Sequence, residues 1–163
     1  MASELKNLSE YDHEKVPVAK SMRFGILVSE WNDEVTFALR DGAVSALLKH
    51  GADKKDIEIE YVPGTFELTA GARLLAKTQK YDAIIVLGCV IQGETRHFDY
   101  ICQGIAQGIT HLNVKFDMPF IFGILTTANL QQAKERAGGR LGNKGDEAAI
   151  TAIKMVDLHR RIK

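Results

Sequence analysis

The sequence predicts an α/β fold, three layers deep, with a four-stranded parallel sheet between helices on both faces. Two observations carry that prediction. Short apolar runs alternate along the chain with longer stretches of helical spacing, the pattern of strand–helix–strand units joined by right-handed crossovers. Gly51 and the pair Pro63–Gly64 fall at the joints between such segments, where a chain must turn. With 163 residues, 45% of them hydrophobic, the chain can bury one substantial core, which places a single domain over residues 21–163.

Residues 23–29 (RFGILVS) open that core as an apolar run suited to a strand buried on both faces. Residues 33–50 follow with helical spacing at Val35, Leu39, Ala43 and Leu47, and Gly51 ends them. Residues 57–62 (IEIEYV) alternate like a strand nearer the sheet edge. After Pro63 and Gly64 a helix is predicted over residues 66–78. Residues 83–87 (AIIVL) form the next buried strand. Residues 98–116 form the next helix, with Ile101, Ile105 and Leu112 on one face, and residues 120–125 the fourth strand. Two helices close the chain, over residues 130–137 and 146–162, with the glycine-rich stretch GGRLGNKG between them. Residues 1–20 are polar and charged and read as an arm outside the core, mobile or docked on a neighbour.

Lysine plus arginine and aspartate plus glutamate each total 21, a formal net charge of zero. Neither nucleic acid nor a membrane surface is therefore expected as a partner, since both call for a basic excess. No apolar run has the length of a bilayer span. Cys89 and Cys102 show no Cys-x-x-Cys or Cys/His ligand spacing, so neither a disulfide framework nor a metal site is expected. Reduced thiols and the lack of a signal peptide point to the cytoplasm. Zero net charge also favours self-association.

In parallel sheets, ligands bind beyond the carboxyl ends of the strands. That rule selects residues 29–32, 63–67, 88–97 and 125–129 before any motif is considered. The third segment, GCVIQGETRH, has the spacing of a phosphate loop, with Glu94 where the lysine belongs. Nucleotide hydrolysis fails on that charge. A turn whose backbone N–H groups and Thr95 hydroxyl precede a helix still suits an anion whose cation comes from elsewhere. With no G-x-G-x-x-G, a dinucleotide is not expected.

His97 follows that turn and is either a solvent-facing or capping histidine or a proton-transfer group. Cys89, with no activating cation beside it, reads as a small buried thiol rather than a nucleophile. Glu67 is an ordinary first-turn helix glutamate or a ligand acid. Trp31, beside Asn32, either stacks on a planar ring or covers the core edge. Phe122 reads as a core aromatic. Arg136 and Lys144 flank the glycine-rich stretch. They are solvated surface cations, or Arg136 is the missing phosphate partner, since a guanidinium matches phosphate oxygens in a bidentate fork.

The strings VPGTFELT, LGCVIQGETRHFDYIC, PFIFGILTT and RAGGRLGNKGDEAA, in that order, resemble the signatures of the 6,7-dimethyl-8-ribityllumazine synthase family from about Met22 onward. The resemblance implies a flavodoxin-like layout and a condensation that needs neither cofactor nor metal. Two small molecules, 5-amino-6-(D-ribitylamino)uracil and 3,4-dihydroxy-2-butanone 4-phosphate, would join with release of phosphate and water, the penultimate step of riboflavin biosynthesis. Trp31 would stack on the pyrimidine ring, where most members have phenylalanine, with Asn32 beside it. Thr65, Phe66 and Glu67 would line the ribityl and uracil region, and Cys89, Val90 and Ile91 would meet the uracil edge through backbone groups. Glu94 and Thr95 would lie at the phosphate turn, His97 would transfer protons, and Phe122 would complete a neighbouring subunit's site. Arg136 would bind phosphate, with Lys144 close by. The resemblance also implies a pentamer with sites at subunit interfaces. The compact GGRLGNKG loop is similar to that of members forming sixty-subunit icosahedral shells. The larger indole surface at Trp31 adds an expectation of flavin affinity. Two other readings compete: a non-catalytic flavin- or phosphate-binding module on the same layout, and a shell protein with a vestigial pocket.

Overall fold

A strand with no polar alternation is stable only when both its faces are covered, and β1 (Phe24–Ser29) is buried along its whole length. The computed structural model, which describes residues 7–163, covers it with two other strands and helices on each side. β1 pairs in parallel with β2 (Ile57–Val62) and β3 (Ala83–Ile91), and β3 with β4 (Phe120–Thr127), in the order β2-β1-β3-β4. Strand alternation sorts the core into two layers. Phe24, Ile26, Val28, Ile85 and Leu87 face α1 (Asp33–Lys49) and α5 (Lys144–Ile162). Leu27, Ile84 and Val86 face α2 (Leu68–Lys77) and α3 (His97–Lys115). The three-layer α/β architecture with its four-stranded parallel sheet is therefore present, and β2 is an edge strand with no fully buried residue.

The helix over residues 33–50 forms nearly to that length, with Val35, Leu39, Ala43 and Leu47 fully buried. Gly51 ends it at a φ of +89°, a left-handed conformation glycine adopts without a steric cost. Other elements differ from the sequence reading. β3 runs four residues past Leu87 because Gly88–Ile91 pair with Ile124–Thr127, which also lengthens β4 by two residues. The helix read over 130–137 is shorter: α4 (Leu130–Glu135) ends with Arg136 at its C-cap. The glycine-rich stretch is not a plain loop but a hairpin of β5 (Ala137–Gly139) and β6 (Gly142–Asn143). Leu141 N–H to Glu135 C=O and Lys144 N–H to Arg136 C=O, both 2.8 Å, close it. Asn143 then caps α5 by accepting from Gly145 N–H at 2.7 Å, while its amide donates to the Ala38 carbonyl of α1.

The arm is the main correction. From residue 7 onward it docks on its own chain rather than staying outside the core. Val16 and Ala19 belong to the α1/α5 layer, and Leu8 is buried with its N–H on the Leu141 carbonyl at 2.8 Å. Ser9 Oγ donates to Asp146 at 2.6 Å and accepts from Asn143 N–H at 2.9 Å. Residues 1–6 of the expected arm lie outside the described residues. Among the described residues no helix is long and apolar enough to cross a membrane.

Candidate active site at the carboxyl ends of the strands

Three strand–helix turns converge at the carboxyl end of the sheet, and backbone hydrogen bonds lash two of them together. Glu30 N–H donates to the Val62 carbonyl at 2.8 Å and Trp31 N–H to the Pro63 carbonyl at 3.0 Å. Asn32, at the N-cap of α1, holds a left-handed backbone (φ 63°, ψ 44°), which asparagine tolerates better than most side chains. Its side-chain amide donates to the Cys89 carbonyl at 2.9 Å, and Thr65 Oγ1 approaches the same oxygen at 3.4 Å. The end of β3 is thereby tied to both neighbouring turns.

Between them lies a cleft of about 840 Å³, within the range of small-molecule sites. Nine of the fourteen residues singled out from the sequence line it: Trp31 and Asn32 from the first turn; Thr65, Phe66 and Glu67 from the second; Cys89, Val90 and Ile91 from β3; and His97. Trp31 is 73% exposed and Phe66 56%, so large apolar rings stand in solvent around a concave site. The alternative that Trp31 covers the core edge is not what the structure shows. Glu67 sits at the N-cap of α2, one residue ahead of the first turn, and its carboxylate makes no capping bond. Instead Glu67 Oε2 folds back over Gly64, where an added Cβ would stand 2.9 Å away. His97 is the exposed first residue of α3.

Burial pushes the Cys89 thiol up to about 12, so the group is neutral near physiological pH. The reading of Cys89 as a buried thiol agrees with that. What Cys89 offers the cleft is its carbonyl.

The phosphate-loop spacing has a different origin. Gly88 lies inside β3, and a Cβ there would come within 2.9 Å of Thr65 Oγ1 and Leu68 Cδ1. It is a glycine because the start of α2 packs directly on the strand. The true turn begins only at Gln92, whose N–H reaches the Thr127 carbonyl at 2.8 Å. Glu94 and Thr95 are exposed on that turn and do not line the cleft. Thr95 Oγ1 accepts from His97 N–H at 3.3 Å, so the hydroxyl orients the start of α3.

Phe122, Arg136 and Lys144 also stay out of this chain's cleft. Phe122 is 36% exposed on the edge strand β4, not a core aromatic. Arg136 Nη1 donates to the Gln132 carbonyl at 2.9 Å, and Lys144 Nζ meets Glu147 at 2.5 Å. Both residues belong to the segment beyond β4, where Asn143 fastens the hairpin to α1 through the Ala38 carbonyl. Sequence reasoning missed Tyr100, which lines the cleft with Ile101. The signal was present: positions three and four past His97 share its helix face.

Helices on both faces of a parallel sheet, with an aromatic-rimmed cleft holding an acid and an imidazole over its carboxyl ends, define a flavodoxin-like α/β protein with a small-ligand site. The family model of 6,7-dimethyl-8-ribityllumazine synthase matches residues 21–160. Over 157 residues, 96% of this chain and 98% of the relative, the sequence is 58% identical to 6,7-dimethyl-8-ribityllumazine synthase of Parabacteroides distasonis. It is 55% identical over 163 residues to that of Phocaeicola vulgatus, covering 100% of this chain and 97% of the other. Against that of Cytophaga hutchinsonii it is 59% identical over 156 residues, 96% and 98% of the two chains. The chain belongs to the 6,7-dimethyl-8-ribityllumazine synthase family.

Proposed function

We propose that this chain is a working 6,7-dimethyl-8-ribityllumazine synthase, a transferase of riboflavin biosynthesis. It condenses 5-amino-6-(D-ribitylamino)uracil with 3,4-dihydroxy-2-butanone 4-phosphate and releases phosphate and water. The observation that carries the reading is the meeting of His97, Glu67 and Trp31, delivered by separate turns, in one cleft. Trp31 stacks on the pyrimidine ring, and Glu67 accepts hydrogen bonds from ribityl hydroxyls. The backbone from Cys89 to Ile91 reads the uracil edge. Imine formation, phosphate elimination, ring closure and dehydration each move protons, and His97 at the mouth of the cleft shuttles them. Holding two small reactants side by side supplies much of the rate, so the chemistry calls for no cofactor or metal.

A phosphorylated reactant needs a cation, and the residues lining the cleft include neither lysine nor arginine. Arg136 and its neighbour Lys144, joined through the Arg136 carbonyl, serve that need from an adjacent copy, and Phe122 joins the same neighbouring contribution. The working form is then an oligomer with sites between subunits, a pentamer, and the compact hairpin favours sixty-subunit shells. Exposed Val114, Phe122, Met155 and Ile162 are consistent with self-association. Residues 21–163 act as one catalytic domain in the cytoplasm, with residues 7–20 of the arm packed against it.

Mixing the two substrates and following lumazine absorbance and fluorescence tests the reading. Product formation that depends on His97 supports it. Ligand binding with no product would leave the non-catalytic module. Sedimentation tests the assembly: a species near five subunits would sink the shell.

A further inference from the structure

Residues 65–69 carry three of the cleft-lining side chains, yet the N-cap of α2 within them makes no side-chain capping bond. What locates the segment is the absence of side chains opposite it. A Cβ added to Gly104 on α3 would stand 2.9 Å from Phe66 Cε2 and 3.6 Å from Phe66 Cδ2. One turn further along the same helix, a Cβ on Gly108 would run into the Thr69 side chain. Gly88 on β3 bears on Thr65 and Leu68 in the same way. Three glycines on two elements thus form the seat of one five-residue segment. A glycine inside a helix is unfavourable relative to alanine. Gly104 and Gly108 therefore weaken α3 unless bare backbone does something there that alanine cannot.

We propose that Gly104 is a positioning residue for the cleft. Its missing side chain lets the Phe66 ring rest against α3, and that resting place sets how far the cleft opens between the ring and the helix bearing His97 and Tyr100. An added methyl group drives the ring into the ligand space. The ring is the part that yields, since its contact is the far end of a side chain rather than backbone. The inference rests on the lumazine synthase reading for its kinetic consequence but not for its steric one.

The test is a double-mutant cycle with two readouts, lumazine turnover and thermal unfolding, on the full chain as wild type, Gly104→Ala, Phe66→Ala and the double variant. Gly104→Ala is expected to raise KM for the pyrimidine substrate about tenfold, with a smaller change in kcat, as a displaced contact of ordinary strength implies. Added to Phe66→Ala, the same substitution is expected to cost no further KM and to raise the melting temperature, because alanine then enters the helix without a clash. An equal KM loss in both backgrounds overturns the proposal, as does an unchanged KM in the wild-type background. Wild type that makes no lumazine strikes the functional reading alone. The seat is then decided by melting temperature, which must gain less from Gly104→Ala in the wild-type background than in the Phe66→Ala background, equal changes in the two overturning it. If Gly104→Ala does not fold, a folded double variant upholds the proposal and an unfolded one overturns it.

Discussion

The Asn32 side-chain amide donates to the Cys89 carbonyl at 2.9 Å, and this one bond ties the turn that presents Trp31 to the strand end that forms the floor of the cleft. Asn32 also accepts a left-handed backbone there. Its replacement tests both contributions. Asn32→Ala loses the hydrogen bond and strains the turn, and is expected to cost about 1–3 kcal/mol in chemical denaturation, with a raised KM. Asn32→Gly relieves the strain but not the lost bond, and should recover part of the stability and little of the KM. Equal losses for both variants would contradict this division.

His97 is exposed, so its removal should leave the fold intact. His97→Asn is expected to lower kcat by roughly 10²–10⁴, the usual contribution of a positioned acid–base group, with a melting temperature unchanged. Steady-state kinetics alongside a thermal melt separate the two effects. Retained kcat would return His97 to a capping role.

Much of the fold was legible because it is local. The buried run of β1, the edge alternation of β2 and the apolar face of α1 each follow from residues near one another in the chain. What was not legible depends on distant partners. The last four residues of β3 are strand because β4 pairs with them, and Gly88 copies a phosphate-loop spacing because Thr65 and Leu68 press on it. Val16 and Ala19 read as polar-arm residues until α1 and α5 cover them. In the site, strand-end geometry selected the three segments that line the cleft and a fourth, residues 125–129, that does not. It did not separate residues that line the cleft, such as Ile91 at the end of β3, from those a few positions on that face solvent, such as Glu94.

Cys89 is held up to about 12 by burial, against an ordinary value of 9.0. Its thiol should resist alkylation in the native state at pH 8 and react only on unfolding, which mass spectrometry of quenched samples reads. The unfolded chain ionises this thiol above pH 9 while the folded chain does not. Its contribution to stability is therefore present below that pH and lost as pH rises towards 12. Rapid native labelling would show the strand end to be open.

The arm is fastened partly by His50, which lies 3.1 Å from the Tyr11 hydroxyl and stacks on His13 with ring centroids 5.7 Å apart. Burial lowers its pKa below 6.5, and His13 and Lys49 add to the effect. Neutral His50 shares a hydrogen bond with the Tyr11 hydroxyl. A depressed value means that stability is present above pH 6.5 and lost as pH falls through the folded-state value. Hydrogen exchange at Ala19, whose N–H is bonded to the His50 carbonyl at 2.8 Å, should quicken below that pH after correction for intrinsic rates. His50→Gln should flatten the dependence, and a pH-independent protection factor would contradict it.

The central claim is that each working site joins the strand-end cleft of one copy to the cation of the next. Lumazine formation by mixed oligomers, co-expressed from His97→Asn and Arg136→Ala chains, tests it most directly. Each variant alone should be nearly inactive, while the mixture should regain about a quarter of wild-type turnover, because random assembly across a two-chain site leaves that share intact. A mixture no more active than the separate variants would contradict the claim.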